Sequence, residues 1–345
     1  MINLENSKVL ITGAAGFIGS NLAKDLLKKF KDIKIVGIDN LNDYYDVQIK
    51  HNRLEDLNQD SRFEFIKGDI SDKELIDQIF ETFHPDVVVN LAAQAGVRYS
   101  IINPDAYIQS NLIGFYNLLE ACRHYPVKHL LFASSSSVYG ANKKIPYSTE
   151  DKTDHPVSLY AATKKSNELL AYAYSKLYKI PATGLRFFTV YGPAGRPDMA
   201  YFGFTDKLRR NETIEIFNYG NCKRDFTYID DIVEGVIRVM EKSPKKDENG
   251  VEFKVYNIGN NEPENLLDFV TILQEELIRA HVLPKDYNFE EHKKLVGMQP
   301  GDVEVTYADV TELIKDFNFQ PNTSLRQGLR NFAEWYADYY GTCEQ

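Results

Sequence analysis

The sequence predicts an α/β chain built on a doubly wound parallel sheet, and three observations carry that expectation. Short β-branched runs alternate with helix-length amphipathic stretches through the first half, beginning with Lys8-Val-Leu-Ile-Thr12 and the helical pattern from Phe17 to Phe30. Strands that alternate with helices imply parallel pairing, because a parallel connection needs a crossover. The first strand runs into Gly13-Ala-Ala-Gly16-Phe17-Ile18-Gly19, a tight turn opening a helix whose backbone N–H groups face an anion. The second strand, Ile33-Lys-Ile-Val-Gly-Ile38, ends at Asp39, 20 residues past Gly19. An acid at that distance accepts hydrogen bonds from an adenosine ribose and repels a 2′-phosphate. The Gly-x-x-Gly-x-x-Gly spacing departs from the usual dinucleotide fingerprint, so the glycines alone also fit a turn that merely packs well. Glycine turn and acid together point to a Rossmann dinucleotide site, with NAD favoured over NADP.

Composition bounds the class. A chain of 345 residues, 43% hydrophobic and 26% charged, is ordinary globular material with room for one large core or two domains. Its formal net charge of −10 argues against nucleic acid as a partner, since phosphate-backbone binding needs a basic footprint. Cys122, Cys222 and Cys343 lie far apart with no C-x-x-C spacing, so neither a metal site nor a disulfide framework is expected. Met1-Ile2-Asn3-Leu4-Glu5 has no basic segment followed by an apolar run, and no stretch approaches a membrane span. The expectation is a soluble cytoplasmic protein with no membrane partner.

The alternation continues. Phe63-Glu-Phe-Ile66 leads to Gly68-Asp69-Ile70 and a helix from Lys73 to Phe83; Val87-Val-Val-Asn90 runs into Leu91-Ala92-Ala93-Gln94. A helix is predicted over Ala106–Arg123, then the strand His129-Leu-Leu-Phe-Ala133, which ends in Ser134-Ser135-Ser136-Ser137. Asp69, Ala92, Gln94 and Ser134 all fall at carboxyl strand ends, where such sheets bind ligands.

Tyr160-Ala-Ala-Thr-Lys164 sets a phenol one helical turn from an ammonium. The lysine's charge is expected to favour phenolate and lower the tyrosine pKa, making Tyr160 a general base for a sugar hydroxyl. In a chain with 22 tyrosines such a pair also arises as a solvated helix face. Ser135, at the same sheet edge, is positioned to share or relay the hydroxyl proton, although serine clusters are more often solvated turns.

With these residues together, the chain resembles an extended short-chain dehydrogenase/reductase acting on nucleotide sugars. Arg186-Phe-Phe-Thr-Val-Tyr-Gly-Pro193, Gly195-Arg-Pro-Asp-Met199, Arg224-Asp-Phe-Thr-Tyr-Ile-Asp-Asp231 and Gln299-Pro-Gly-Asp302 are most similar to the UDP-glucuronate 4-epimerases, and the resemblance covers nearly the whole chain. It implies tightly held NAD and reversible 4-epimerisation of UDP-glucuronate to UDP-galacturonate, a polysaccharide precursor. Tyr160 takes the proton of the 4-hydroxyl while C4 gives hydride to the nicotinamide, Ser135 hydrogen-bonds O4, and Lys164 binds the nicotinamide ribose. The 4-keto sugar then turns over and is reduced on its other face. Implied cofactor contacts are Gly13, Gly16, Phe17, Ile18, Gly19, Asp39, Asn40, Asp69, Ile70, Leu91, Ala92, Ala93, Gln94, Asn111, Ser134, Tyr160, Lys164 and Phe187.

On the substrate side the resemblance implies Arg98, Ser135, Tyr160, Phe217, Arg224 on the diphosphate and Asp302 at the uridine ribose. Thr189, Arg196, Ser136 and Ser137 would hold the uronate carboxylate so that the β-keto acid keeps its carbon dioxide. Related dehydratases and UDP-xylose synthases carry an acid beside the catalytic Ser/Thr, where this chain has Ser136 and Ser137. That argues against dehydration and, less strongly, against UDP-glucuronate decarboxylation. A UDP-N-acetylglucosamine or UDP-glucose 4-epimerase and a catalytically silent NAD-sensing scaffold are the other readings. The resemblance also implies a homodimer through two helices, near Ala106–Arg123 and Val157–Tyr178.

The second half switches to Gly- and Pro-rich sequence from Gly192 to Pro197, which marks departure into a smaller substrate-binding region. A helix over Met199–Arg210, a strand over Thr213–Phe217, a helix over Ile229–Lys242 and a strand over Lys254–Ile258 are predicted. The expected division is residues 1–188 with 227–262 for NAD and 189–226 with 263–345 for the UDP-sugar, the smaller α/β region being interleaved in the C-terminal half. The aromatic run Phe332, Trp335, Tyr336 and Tyr339 in the closing helix reads as packing.

Overall fold

The computed structural model describes residues 1–298 and 305–343. β1 (Lys8–Thr12), α1 (Phe17–Lys29), β2 (Lys34–Asp39), β3 (Phe63–Lys67), α3 (Lys73–Phe83) and β4 (Val87–Asn90) alternate as the pattern predicts, and α2 (Val47–Glu55), which it did not single out, joins β2 to β3. Period-two burial drives this: Val9 and Ile11 of β1 enter one core and Leu10 the other, as Val87 and Val89 oppose Val88 in β4. Both faces are covered, which is why these strands are continuously apolar. Each such side chain contributes roughly 1.5–3 kcal/mol on burial.

The helix predicted over 106–123 is not one helix. α4 (Tyr99–Ile102) and α5 (Pro104–Tyr107) precede a π-helical stretch, Ile108–Ile113, and only then comes α6 (Gly114–His124). Pro104 sits in the first turn of α5 behind the Asn103 cap, a position proline suits. The wider π turn lets the buried Asn111 side chain reach the Gln94 backbone, a geometry that apolar periodicity does not register.

β5 (His129–Ser135), α7 (Leu159–Tyr178) and β6 (Ala182–Phe187) complete this half. Ser158 caps α7 by accepting from the Ala161 N–H at 3.1 Å, so the helix starts two residues later than the Val157 expected. Then follow β7 (Thr189–Tyr191), α8 (Ala200–Arg209), β8 (Ile214–Ile216), β9 (Lys223–Tyr228), α9 (Ile229–Met240), β10 (Phe253–Ile258), β11 (Pro263–Asn265), α10 (Leu266–Arg279), β12 (Lys293–Leu295), β13 (Val305–Thr306), α11 (Thr311–Phe317) and α12 (Leu325–Tyr340).

Seven parallel strands form the main sheet in the order β10-β6-β5-β4-β1-β2-β3. The order reverses between β1 and β4, and the ligand crevice of such a sheet lies outside the strand ends at that point. β9 centres a smaller sheet with β7, β11 and β13, and β8 pairs with β12. The aromatic face of α12 is packing, as expected: Phe332 and Tyr336 are buried against Tyr201 and Phe202. Among the described residues no helix is long and apolar enough to cross a membrane.

Candidate active site

One cleft of about 1080 Å³ runs along the carboxyl edge of the sheet. Its floor is the glycine turn. Gly13 has φ +72°, and a Cβ there would stand 2.8 Å from the Ala92 nitrogen, while one on Gly19 would stand 2.2 Å from the Gly13 carbonyl oxygen. Only glycine lets the turn, β4's exit and α1 approach this closely. α1 starts at Gly16 without a side-chain cap, so its first N–H groups and its dipole are directed at the cleft. Asp39 closes the next strand end; its carboxylate accepts from the Ala15 N–H at 3.1 Å and the Leu41 N–H at 2.9 Å. Burial alone would raise the Asp69 carboxyl, but hydrogen bonds from Ser71 and Asn40 hold it below the usual carboxylate range.

This floor has the donors and the acid that a dinucleotide requires. Phe17, Ile18, Asn40, Ile70, Leu91, Ala92, Ala93, Gln94, Ser134 and Phe187 line the cleft beside it. Asn111 does not: both ends of its amide are spent on Gln94, with a 2.8 Å bond from the Gln94 N–H and a 3.0 Å bond to its carbonyl, and it also donates to Thr163. It therefore fixes the β4 exit from behind the cleft wall rather than presenting itself to a cofactor.

Ser135, Tyr160 and Lys164 converge at the centre. Burial raises the largely buried Tyr160 phenol, and a hydrogen bond from the Ser135 side chain and the Arg196 charge pull it back only in part. The expected direction was the opposite. The reason is geometric: the buried Lys164 ammonium donates to the Ala133 carbonyl at 2.8 Å, so it is bound to the end of β5 rather than to the phenol. Burial lowers Lys164 to about 8.

Behind this group lies a fully buried joint that sequence reasoning did not identify. Glu168, one turn beyond Lys164, accepts a two-nitrogen fork from Arg186 at 2.8 Å per bond and the Ser134 hydroxyl at 2.7 Å. It ties α7, β5 and β6 together directly beneath Ser135. Arg186 stood in a quoted motif, but its partner comes from a different element and no spacing links them.

Thr189, Ser136, Ser137, Arg196, Phe217, Arg98 and Arg224 all line the other half of the cleft. Arg98 sits over the Phe217 ring at 5.5 Å, and the Ser137 N–H donates to the Ser135 hydroxyl. Asp302 lies outside the described residues. Arg196 is already paired: its Nε and Nη2 donate to the Asp198 carboxylate at 3.0 and 2.5 Å. Asp198, Tyr44 and Lys50 also line the cleft and were not singled out from the sequence.

A parallel sheet with a glycine cradle, an acid at the next strand end and a Ser-Tyr-Lys group define an NAD-dependent enzyme of the extended short-chain dehydrogenase/reductase type. The chain belongs to the family described as GDP-mannose 4,6 dehydratase, whose profile matches residues 10–332. It is 49% identical to Protein CapI of Staphylococcus aureus, over 96% of this chain and 99% of that protein. It is 43% identical to UDP-glucuronate 4-epimerase 4 of Arabidopsis thaliana, over 96% of this chain and 76% of the relative. Among solved structures, UDP-glucuronic acid 4-epimerase from Bacillus cereus with UDP-glucuronic acid and NAD superposes with a TM-score of 0.85 at 34% identity, covering 96% of this chain and 100% of that one.

Proposed function

We propose that this chain interconverts UDP-glucuronate and UDP-galacturonate by transient oxidation at C4. The observation that carries the reading is the convergence of Ser135, Tyr160 and Lys164 beside the glycine cradle, in one cleft with Arg196 and Arg224. Gly13, Gly16, Gly19 and Asp39 would hold NAD, which would supply a reversible hydride acceptor for C4, so that no external oxidant is consumed. Tyr160 removes and later returns the proton of the 4-hydroxyl, and Ser135 holds O4 and favours the phenolate. Lys164 keeps a positive charge at this edge. Arg224 receives the diphosphate, for which arginine geometry is suited. Thr189, Ser136, Ser137 and Arg196 hold the carboxylate away from the orientation that would release carbon dioxide. Ser136 and Ser137 follow Ser135 in the sequence, where a dehydratase carries the acid for its second proton transfer.

The pairing of Arg196 with Asp198 favours a second reading, a neutral UDP-N-acetylglucosamine or UDP-glucose substrate. We assign residues 1–188 with 227–262 to the NAD-binding body and 189–226 with 263–345 to the UDP-sugar region; the separate sheets around β9 and β8 support this division. A homodimer is proposed through α6 and α7, where Tyr116, Leu169, Tyr172 and Leu177 are exposed. Tyr160→Phe tests the chemistry. Loss of about 10²-fold or more in UDP-galacturonate formation is expected, and a variant with undiminished turnover would remove Tyr160 from the reaction.

A further inference from the structure

We propose that Asp198 is a built-in competitor for the sugar carboxylate on Arg196, and that its displacement sets the preference between uronate and neutral UDP-sugars. The inference rests on the reading of Arg196 as the uronate's partner. Arg196 presents its Nε–Nη2 edge to Asp198 with both bonds made, at 3.0 and 2.5 Å. One such edge takes one carboxylate in fork geometry, so Asp198 and a substrate carboxylate cannot hold it together. Tyr44 donates its hydroxyl to the same Asp198 carboxylate at 3.3 Å. The chain has thus assembled a carboxylate site beside Tyr160 and filled it with its own side chain.

Exchange at this site is inexpensive. The two side chains are 25% and 26% exposed, and pairs that water reaches contribute little net stability. Trading one carboxylate for another on the same edge is therefore nearly even, and a displaced Asp198 stays within reach of water and Tyr44. A neutral sugar leaves the pair closed. Asp198 thereby taxes every uronate that binds and no neutral sugar, while preventing Arg196 from standing as a lone charge in the cleft.

Titration calorimetry of the NAD-loaded protein with UDP-glucuronate and with UDP-glucose tests this, using wild type, Asp198→Asn and Tyr44→Phe. Asp198→Asn is expected to tighten UDP-glucuronate about fivefold, the scale of one exposed ion pair, and to leave UDP-glucose within about twofold. Tyr44→Phe, which loosens Asp198 without removing its charge, is expected to move the ratio the same way by less. A ratio that is unchanged or falls in both variants, with UDP-glucuronate binding well to wild type, overturns the inference alone. UDP-glucuronate that binds neither wild type nor Asp198→Asn overturns the uronate reading, and the inference with it.

Discussion

Tyr160 is held between opposing influences: burial pushes its phenol up, while the Ser135 hydrogen bond and the Arg196 charge favour its ionised form. Removing Ser135's hydroxyl therefore raises Tyr160 further. Ser135→Ala is expected to cost about 10²-fold in kcat at neutral pH and to move the acid limb of the pH–rate profile to higher pH, with partial recovery of rate there. An acid limb that stays in place would take Ser135 out of the tuning of Tyr160. The Tyr160–Lys164 spacing was legible because it is local to one helix. The lysine's true partner was not, because a backbone carbonyl on β5 carries no residue signature. Asp198 stood in a quoted motif, yet its fork with Arg196 depends on how the 194–199 loop turns.

At the scale of elements, β5 meets its neighbours through buried polar joints. His129, the first residue of β5, contacts the Thr183 hydroxyl of β6 at 2.8 Å, and burial lowers its pKa to about 4. With the folded value below the ordinary value near 6.5, the unfolded chain binds more protons between these pH values. Stability is therefore full above about pH 6.5 and is lost as pH falls toward 4, by roughly 3 kcal/mol for this group. Urea unfolding at pH 7.5 and 4.5 checks it: His129→Gln is expected to show a smaller acid loss than wild type, and an equal loss would contradict the assignment. The strands themselves were readable from period-two burial, and α1 from its glycine start. The π turn at 108–113 was not, since the tertiary contact it accompanies, the Asn111 side chain bonded across to Gln94, leaves no mark in apolar periodicity.

For the whole molecule, the glycine turn and Asp39 announced the dinucleotide half, because their separation is fixed by one strand–helix–strand unit. The proposed substrate half of the cleft draws Thr189, Arg196, Phe217 and Arg224 from separate short elements around a second sheet, and only the family resemblance linked them in advance. Exposed Leu169 and Leu177 on α7 give the assembly a direct test. Leu169→Lys with Leu177→Glu is expected to convert a dimer to a monomer in sedimentation, and a wild-type monomer would remove the proposed interface. The central claim is the uronate epimerisation itself. Proton NMR of the purified protein with UDP-glucuronate, without added NAD, is predicted to show UDP-galacturonate growing in with no pentose product. A UDP-pentose, or inert UDP-glucuronate alongside turnover of UDP-N-acetylglucosamine, would contradict it.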